Sequence, residues 1–195
     1  MRSEKTVVGE QGRAEGQWRG KAMLRDLKKN KSGTLDLDLI AKEPSALRIE
    51  ATGTMGIPVA SVAMSGGEIE ILLPQEKKFI SSPADRGSLS RLIPVRISPD
   101  SLLAVLFDRP LDREKEWKCE RGGDRSAAQW TCKTADETVI EREADDGDAR
   151  KFRFSSPTAE MRLSITEAKA KVQATSGLFD LEAPTGYKIE TRRTP

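Results

Sequence analysis

Three groups of closely spaced carboxylates are the residues of this chain whose types and spacing most resemble a catalytic or metal-binding site. They are Asp36 with Asp38, Glu68 with Glu70, and the run of Asp145, Asp146 and Asp148. Carboxylates at such spacing can bind calcium or share the acid and base roles of glycoside hydrolysis. The first two pairs, however, alternate with apolar residues and therefore point to the outer side of a strand, while the third lies in a turn. We interpret all three as solvated surface and predict no metal site.

The composition argues further against catalysis. The chain has 195 residues and no histidine, so the commonest general base and the commonest neutral metal ligand are both missing. It has neither a phosphate-binding loop nor a nucleophile elbow. A net charge of +2 that is evenly spread is not typical of nucleic-acid-binding proteins. The lysine-rich run at 28–31 is interpreted as a solvated turn, with attraction to anionic lipid headgroups as the less favoured alternative. We expect no enzyme, no cofactor and no nucleic-acid partner.

The two cysteines, Cys119 and Cys132, lie in two strand-like segments, 116–121 and 129–134. If a two-residue loop at 125–126 joins these strands, the hairpin register places the cysteines directly opposite each other. Opposed residues on antiparallel strands are about 4.5–5.5 Å apart at Cα, which is within reach of a disulfide. This favours a structural disulfide and an oxidising compartment over a pair of free cytosolic thiols.

A hairpin with an apolar turn is the most unusual segment. Residues 46–64 alternate as two strands, with Leu47 and Ile49 on one side. The turn between them carries Met55, Gly56, Ile57 and Pro58. Turns are normally polar, so this tip is either buried against the helices or offered to something apolar outside the chain, such as a bilayer or a partner. The flanking glycines and the proline favour a projecting turn, and we predict that the tip contacts a membrane.

Period-two alternation recurs along most of the chain. A polar stretch at 1–16 suits a flexible tether, and about ten or eleven short strands are then evenly spaced through a single domain at 17–195. Two helices interrupt them: a short one at 88–93, and an apolar one with Ser98 as N-cap and Pro99 at its first position. The fold class is therefore mainly β, an antiparallel up-and-down half-barrel with the helices packed on its concave face.

Apolar residues from the strands and from the second helix are expected to face the interior of this half-barrel. They are Leu35, Leu37, Leu39, Leu47, Ile49, Leu102, Leu106, Phe152, Phe154, Met161 and Leu163. Alternation does not distinguish a solid core from a ligand cavity. An acyl chain suits such a lining, because each buried methylene contributes about 0.8 kcal/mol.

The order of these segments is similar to that of the LolA/LolB lipoprotein carriers of Gram-negative bacteria. The resemblance spans residues 17–189 and is closer to LolB. It is carried by five stretches, namely residues 18–22 (WRGKA), 53–58 (GTMGIP), 89–95 (LSRLIPV), 101–110 (SLLAVLFDRP) and 179–186 (FDLEAPTG). In LolA an arginine precedes the proline that begins the third strand and latches a helical lid. The matching residue here is Glu43, which points away from a LolA-type latch.

The resemblance implies a periplasmic half-barrel whose cavity binds the acyl chains of lipids or lipoproteins. In LolB the loop that corresponds to the tip protrudes and helps to insert cargo into the inner leaflet of the outer membrane. It also implies a lipid anchor to the outer membrane, attached ahead of residue 1, and a periplasmic carrier as a further partner. The alternative is an outer-membrane lipoprotein without a transport role, which uses the same fold as a structural or protein-interaction module.

Overall fold

The computed structural model describes residues 15–111, 114–122, 129–144, 149–170, 172 and 177–192. These residues form twelve strands and one α-helix, α1 (Pro99–Leu106). The strands are β1 (Glu15–Asp26), β2 (Lys31–Lys42), β3 (Ala46–Thr52), β4 (Pro58–Ser65), β5 (Glu68–Leu73), β6 (Lys78–Pro83), β7 (Lys118–Arg121), β8 (Trp130–Lys133), β9 (Val139–Arg142), β10 (Arg150–Ser156), β11 (Ala159–Lys169) and β12 (Lys188–Thr191).

All twelve strands belong to one open sheet, which confirms the predicted fold class. The sheet order is β12-β6-β5-β4-β3-β2-β1-β11-β10-β9-β8-β7. The first strand is therefore an interior strand and not an edge strand. After β6 the chain crosses to the far edge of the sheet, where β7 lies, and the strands β8 to β11 lead back to β1. The prediction of a purely antiparallel sheet is wrong in one place, since β12 runs parallel to β6. Strand alternation indicates which side chains point inward, but it does not indicate which strands are neighbours.

The predicted pairing of the cysteine hairpin is confirmed. Cys119 lies directly opposite Cys132, with a Cα–Cα distance of 4.0 Å, and the two are joined by a disulfide. The side chains of Trp117 and Trp130, two residues before each cysteine, are buried. The loop predicted at 125–126 lies outside the described residues, as does the turn predicted at 145–148.

The apolar helix forms as its capping residues predict. The hydroxyl oxygen of Ser98 accepts a hydrogen bond from the backbone N–H of Ser101 at 2.9 Å, and Pro99 opens the helix. The prediction of a short helix at 88–93 is wrong, because the chain there forms consecutive turns. Pro94 disfavours helical geometry at the residue before it, which leaves too few residues for a helix. No helix in the described part of the chain is long and apolar enough to cross a bilayer.

The boundary of the first strand differs from the prediction. Glu15 and Gly16, assigned to the tether, already belong to β1, and residues 1–14 lie outside the described part. Lys169 ends β11, and most of the segment that follows lies outside the described residues. The long β11 hydrogen-bonds to β1 over almost its whole length, so its end is set by that partner.

Candidate functional site

The interior beneath α1 is wholly apolar. Leu102 of the helix, together with Leu92 and Ile93 of the preceding turns, faces the concave side of β1, β2, β3 and β11. The cavity enclosed there has a volume of only about 20 Å³. This is the volume open to the centre of a water-sized sphere, and a single water needs about 10–15 Å³ of it, so the packed interior has no room for an acyl chain beside the helix.

Seven of the eleven residues predicted to line a cavity meet at this position: Leu35, Leu37, Leu39, Ile49, Leu102, Met161 and Leu163. The other four, Leu47, Leu106, Phe152 and Phe154, are fully buried elsewhere in the same hydrophobic core. The sequence thus indicated the inward-facing residues, whereas the volume between them depends on how closely the helix approaches the sheet.

The residues that follow α1 fix its end to the sheet. The ring of Phe107 packs edge-on against Trp18 of β1, with ring centroids 5.2 Å apart. Asp108 accepts a hydrogen bond at 2.9 Å from the Nε of Arg142, whose side chain is buried on β9. A buried guanidinium without an anionic partner is costly, so this ion pair favours the closed position of the helix.

Arg109 forms the third contact, an ion pair with Glu43 in the turn between β2 and β3. The two side chains are 36% and 24% exposed, so the pair is partly shielded from water. This ion pair connects the turn between β2 and β3, which carries the carboxylate, to the residues that follow α1, which carry the guanidinium. Sequence reasoning missed this pair because 66 residues separate its members, although each stands directly before a proline.

The beginning of α1 is held by a half-buried carboxylate. Glu114 accepts hydrogen bonds from the hydroxyls of Ser101, at 3.0 Å, and Ser98, at 3.3 Å. Burial raises the pKa of Glu114, and the two serine hydroxyls offset part of that rise because they stabilise the ionised form. Contacts at both ends therefore keep the helix against the sheet.

The apolar tip projects from the β3–β4 hairpin. The turn is closed by the backbone N–H of Gly53, which donates to the carbonyl oxygen of Ile57 at 2.8 Å. Met55 has a φ of 62°, which turns its side chain away from the sheet, and it is 89% exposed; Ile57 is 47% exposed. Gly56 and Pro58 are also exposed. The structure thus shows no docking of the tip onto the helix, and contact with a membrane stays a prediction.

The acidic pairs on the strands lie on the outer face of the sheet. Both aspartates of β2 form ion pairs with the neighbouring strand β1. Asp36 lies 3.5 Å from the Nζ of Lys21, and Asp38 lies 2.9 Å from the Nε of Arg19. Glu70 accepts a hydrogen bond at 2.8 Å from a backbone N–H of the C-terminal segment. These carboxylates are engaged in surface contacts of the sheet, and the structure does not bring them together.

Comparison with known proteins supports the fold. No protein-family model and no curated protein matches the sequence. Among solved structures, the chain is similar to a DUF1329 family protein from Desulfovibrio piger, with a TM-score of 0.53 and 9% identity over 86% of this chain and 90% of that one. The chain has the LolA/LolB-like fold. An uncharacterized conserved protein from Thermus thermophilus also matches, with a TM-score of 0.46 and 12% identity over 90% of this chain and 91% of that one.

In this LolA/LolB-like fold, α1 covers an apolar interior and is held by side-chain contacts at both ends. Two of those contacts, Glu43 with Arg109 and Asp108 with Arg142, are ion pairs.

Proposed function

We propose that this protein binds acylated lipids or lipoproteins in the periplasm and passes them to the inner leaflet of the outer membrane, as LolB does. The observation that carries the proposal is the exposed tip at Met55 and Ile57. The same hairpin contributes Ile49 to the apolar interior, so the tip and the interior belong to one structural element. A lipid anchor to the outer membrane would keep that hairpin near its target leaflet.

Binding requires α1 to move, because the closed interior has no room for a ligand. Moving the helix would separate Arg109 from Glu43, at about 1–2 kcal/mol, and Asp108 from the buried Arg142, at about 3–5 kcal/mol. Ten methylenes transferred from water to the interior would contribute about 8 kcal/mol. The apolar side chains of the helix would stay dry against the acyl chain. The ligand can therefore supply the free energy of opening.

The test separates ligand uptake from membrane transfer. A fluorescent fatty acid is titrated into the protein without vesicles, and its transfer from the loaded protein to vesicles is then followed. We expect Met55→Glu to retain uptake and lose transfer, because a charge at the tip opposes entry into hydrocarbon. Ser65→Glu adds the same charge at the exposed other end of β4 and should leave both steps unchanged. The proposal fails if the unmodified protein takes up no probe, or if the Met55 variant transfers it normally.

A second candidate is an outer-membrane lipoprotein without a transport role, which uses the fold as a structural or protein-interaction module. The packed interior, with its cavity of about 20 Å³, favours this reading. It predicts no uptake of the fatty acid, together with a co-purifying protein partner whose binding is abolished by Met55→Glu. Protection of the tip from hydrogen exchange in that complex would place it in the interface.

A further inference from the structure

Several turns emerge together at one end of the sheet. Since β1 to β6 are successive antiparallel strands, the turns after β1, β3 and β5 share that end. The turn between β10 and β11 joins them, because the backbone N–H of Leu27 donates to the carbonyl oxygen of Thr158 at 2.9 Å. We refer to the turns at 27–30, 53–57, 74–77 and 157–158, with the strand residues beside them, as the tip end.

Exposed apolar side chains concentrate at this end. Within the described part of the chain, the large hydrophobic residues that remain exposed are Met23, Leu27, Met55, Ile57 and Ile189. Three of them lie in the tip-end turns themselves. Met23 is three residues from the end of β1, and Ile189 pairs with Phe79, two residues after the β5–β6 turn. Singly exposed apolar residues are ordinary, but their confinement to one end of a molecule indicates a contact surface.

Positive charge accompanies these apolar residues. The tip-end lysines are Lys28, Lys29 and Lys31 beside the first turn, and Lys77 and Lys78 beside the third. Within 26–31 and 74–78 the only carboxylates are Asp26, 4.0 Å from Lys29, and Glu76, 2.9 Å from Lys78. Lys28, Lys31 and Lys77 form no ion pair with another described residue. Five lysines therefore accompany two carboxylates in these two turns, whose net charge is positive.

In the described part of the chain, the charges at the opposite end of the sheet are largely paired. There Lys42 lies 3.9 Å from Glu15, Arg109 pairs with Glu43, and the β4–β5 turn is followed by the exposed Glu68. The unpaired lysines of the tip-end turns, Lys28, Lys31 and Lys77, therefore make the described charge distribution asymmetric. Such an asymmetric charge distribution orients a protein as it approaches a negatively charged surface.

We propose that the tip end is a docking surface for an anionic phospholipid bilayer, in which the lysines contact headgroups while Met55 and Ile57 enter the acyl layer. The occupant is a bilayer because the surface combines cations with projecting apolar side chains, as membrane-surface segments do. This inference rests on the proposed function and adds the charge of the leaflet to it. Each lysine near an anionic membrane strengthens binding about fivefold.

The experiment measures co-sedimentation of the full chain, without acyl ligand, with vesicles of phosphatidylcholine alone or containing about 30% phosphatidylglycerol. We expect tighter binding to the anionic vesicles. The combined variant Lys28→Gln, Lys29→Gln and Lys31→Gln should lose about 100-fold in affinity for them and change little on neutral vesicles. The matched control, Lys21→Gln, Lys42→Gln and Lys169→Gln, replaces a lysine in the middle of β1 and the lysines that end β2 and β11 away from the tip end, and it should keep nearly full affinity. Raising the salt concentration should weaken only the anionic binding.

Equal binding to both kinds of vesicle, or an equal loss in the control variant, would overturn the docking surface. Unchanged thermal unfolding of the variants verifies that the substitutions act on binding. Uptake of a fatty acid in the absence of vesicles tests the carrier function separately. A protein that prefers anionic vesicles but takes up no acyl probe would support the docking surface and refute the carrier role.

Discussion

Replacing Glu43 with glutamine is expected to tighten the binding of an acyl probe about tenfold. The substitution removes the charge that holds Arg109 beside the sheet, and with it one of the contacts that keep α1 over the interior. The shape of the side chain is almost unchanged, so packing around the turn between β2 and β3 is preserved. The effect should therefore come from the balance between closed and open helix positions.

The magnitude follows from the exposure of the pair. Fully exposed ion pairs contribute about 0–1 kcal/mol, and breaking a buried one costs about 3–5 kcal/mol. With Arg109 36% and Glu43 24% exposed, solvent screening places this pair between those limits, and nearer the lower one. A loss of about 1.4 kcal/mol raises the open fraction about tenfold as long as the closed form dominates. Apparent affinity rises by the same factor, because only the open form binds.

The assay is a fluorescence titration with a fatty acid probe, and a second ion pair supplies the control. Glu141 and Arg153 are 27% and 39% exposed and pair across β9 and β10 on the outer face of the sheet. Glu141→Gln therefore removes a charge of similar exposure without touching α1. We expect this control to leave the probe affinity unchanged. The reasoning is refuted if both variants bind the probe equally, or if Glu43→Gln binds it more weakly than the unmodified protein.

Three further predictions concern stability. Leu102→Ala should lower the free energy of unfolding by about 2–5 kcal/mol in urea titrations, because Leu102 is buried beneath α1. Replacing Cys119 and Cys132 by alanine should lower it by about 3 kcal/mol, because the bridge closes a loop with a sequence separation of 13. Burial raises the pKa of Glu114 above its ordinary 4.5, so the ionised carboxylate destabilises the fold at neutral pH and protonation relieves that cost. The stability of the unmodified protein relative to Glu114→Gln should therefore rise as the pH is lowered from 7 towards 4.5.

Each of these predictions has its own control. Leu27→Ala removes the same atoms from an exposed position and should cost well under 1 kcal/mol, so equal losses at Leu27 and Leu102 would contradict the packed interior. An unfolding midpoint that does not change on reduction would show that the disulfide contributes nothing to stability. If the stabilities of the Glu114 variant and the unmodified protein change in parallel with pH, the carboxyl is not destabilised by burial.

Local patterns in the sequence predicted much of the sheet. Alternation along a strand places every second side chain on one face, and so the residues around Leu37 and Ile49 were correctly expected inside. The short loop assumed between two strands set the hairpin register, and that register correctly placed Cys119 opposite Cys132. A capping serine and a proline defined the start of α1. Each of these inferences depends on residues near one another in the chain, where geometry leaves few alternatives.

Only the tertiary structure decided how the distant parts meet. It made β1 an interior strand, aligned β12 parallel to β6, and paired Glu43 with Arg109 just after the C-terminal end of α1. It also packed α1 so closely that the apolar interior has no room for an acyl chain. These features depend on long-range pairing and on the volumes of side chains from five different elements. Hydrophobic periodicity specifies the direction of a side chain and not its distance from a partner, so a sequence pattern predicts an apolar interior but not whether it is open.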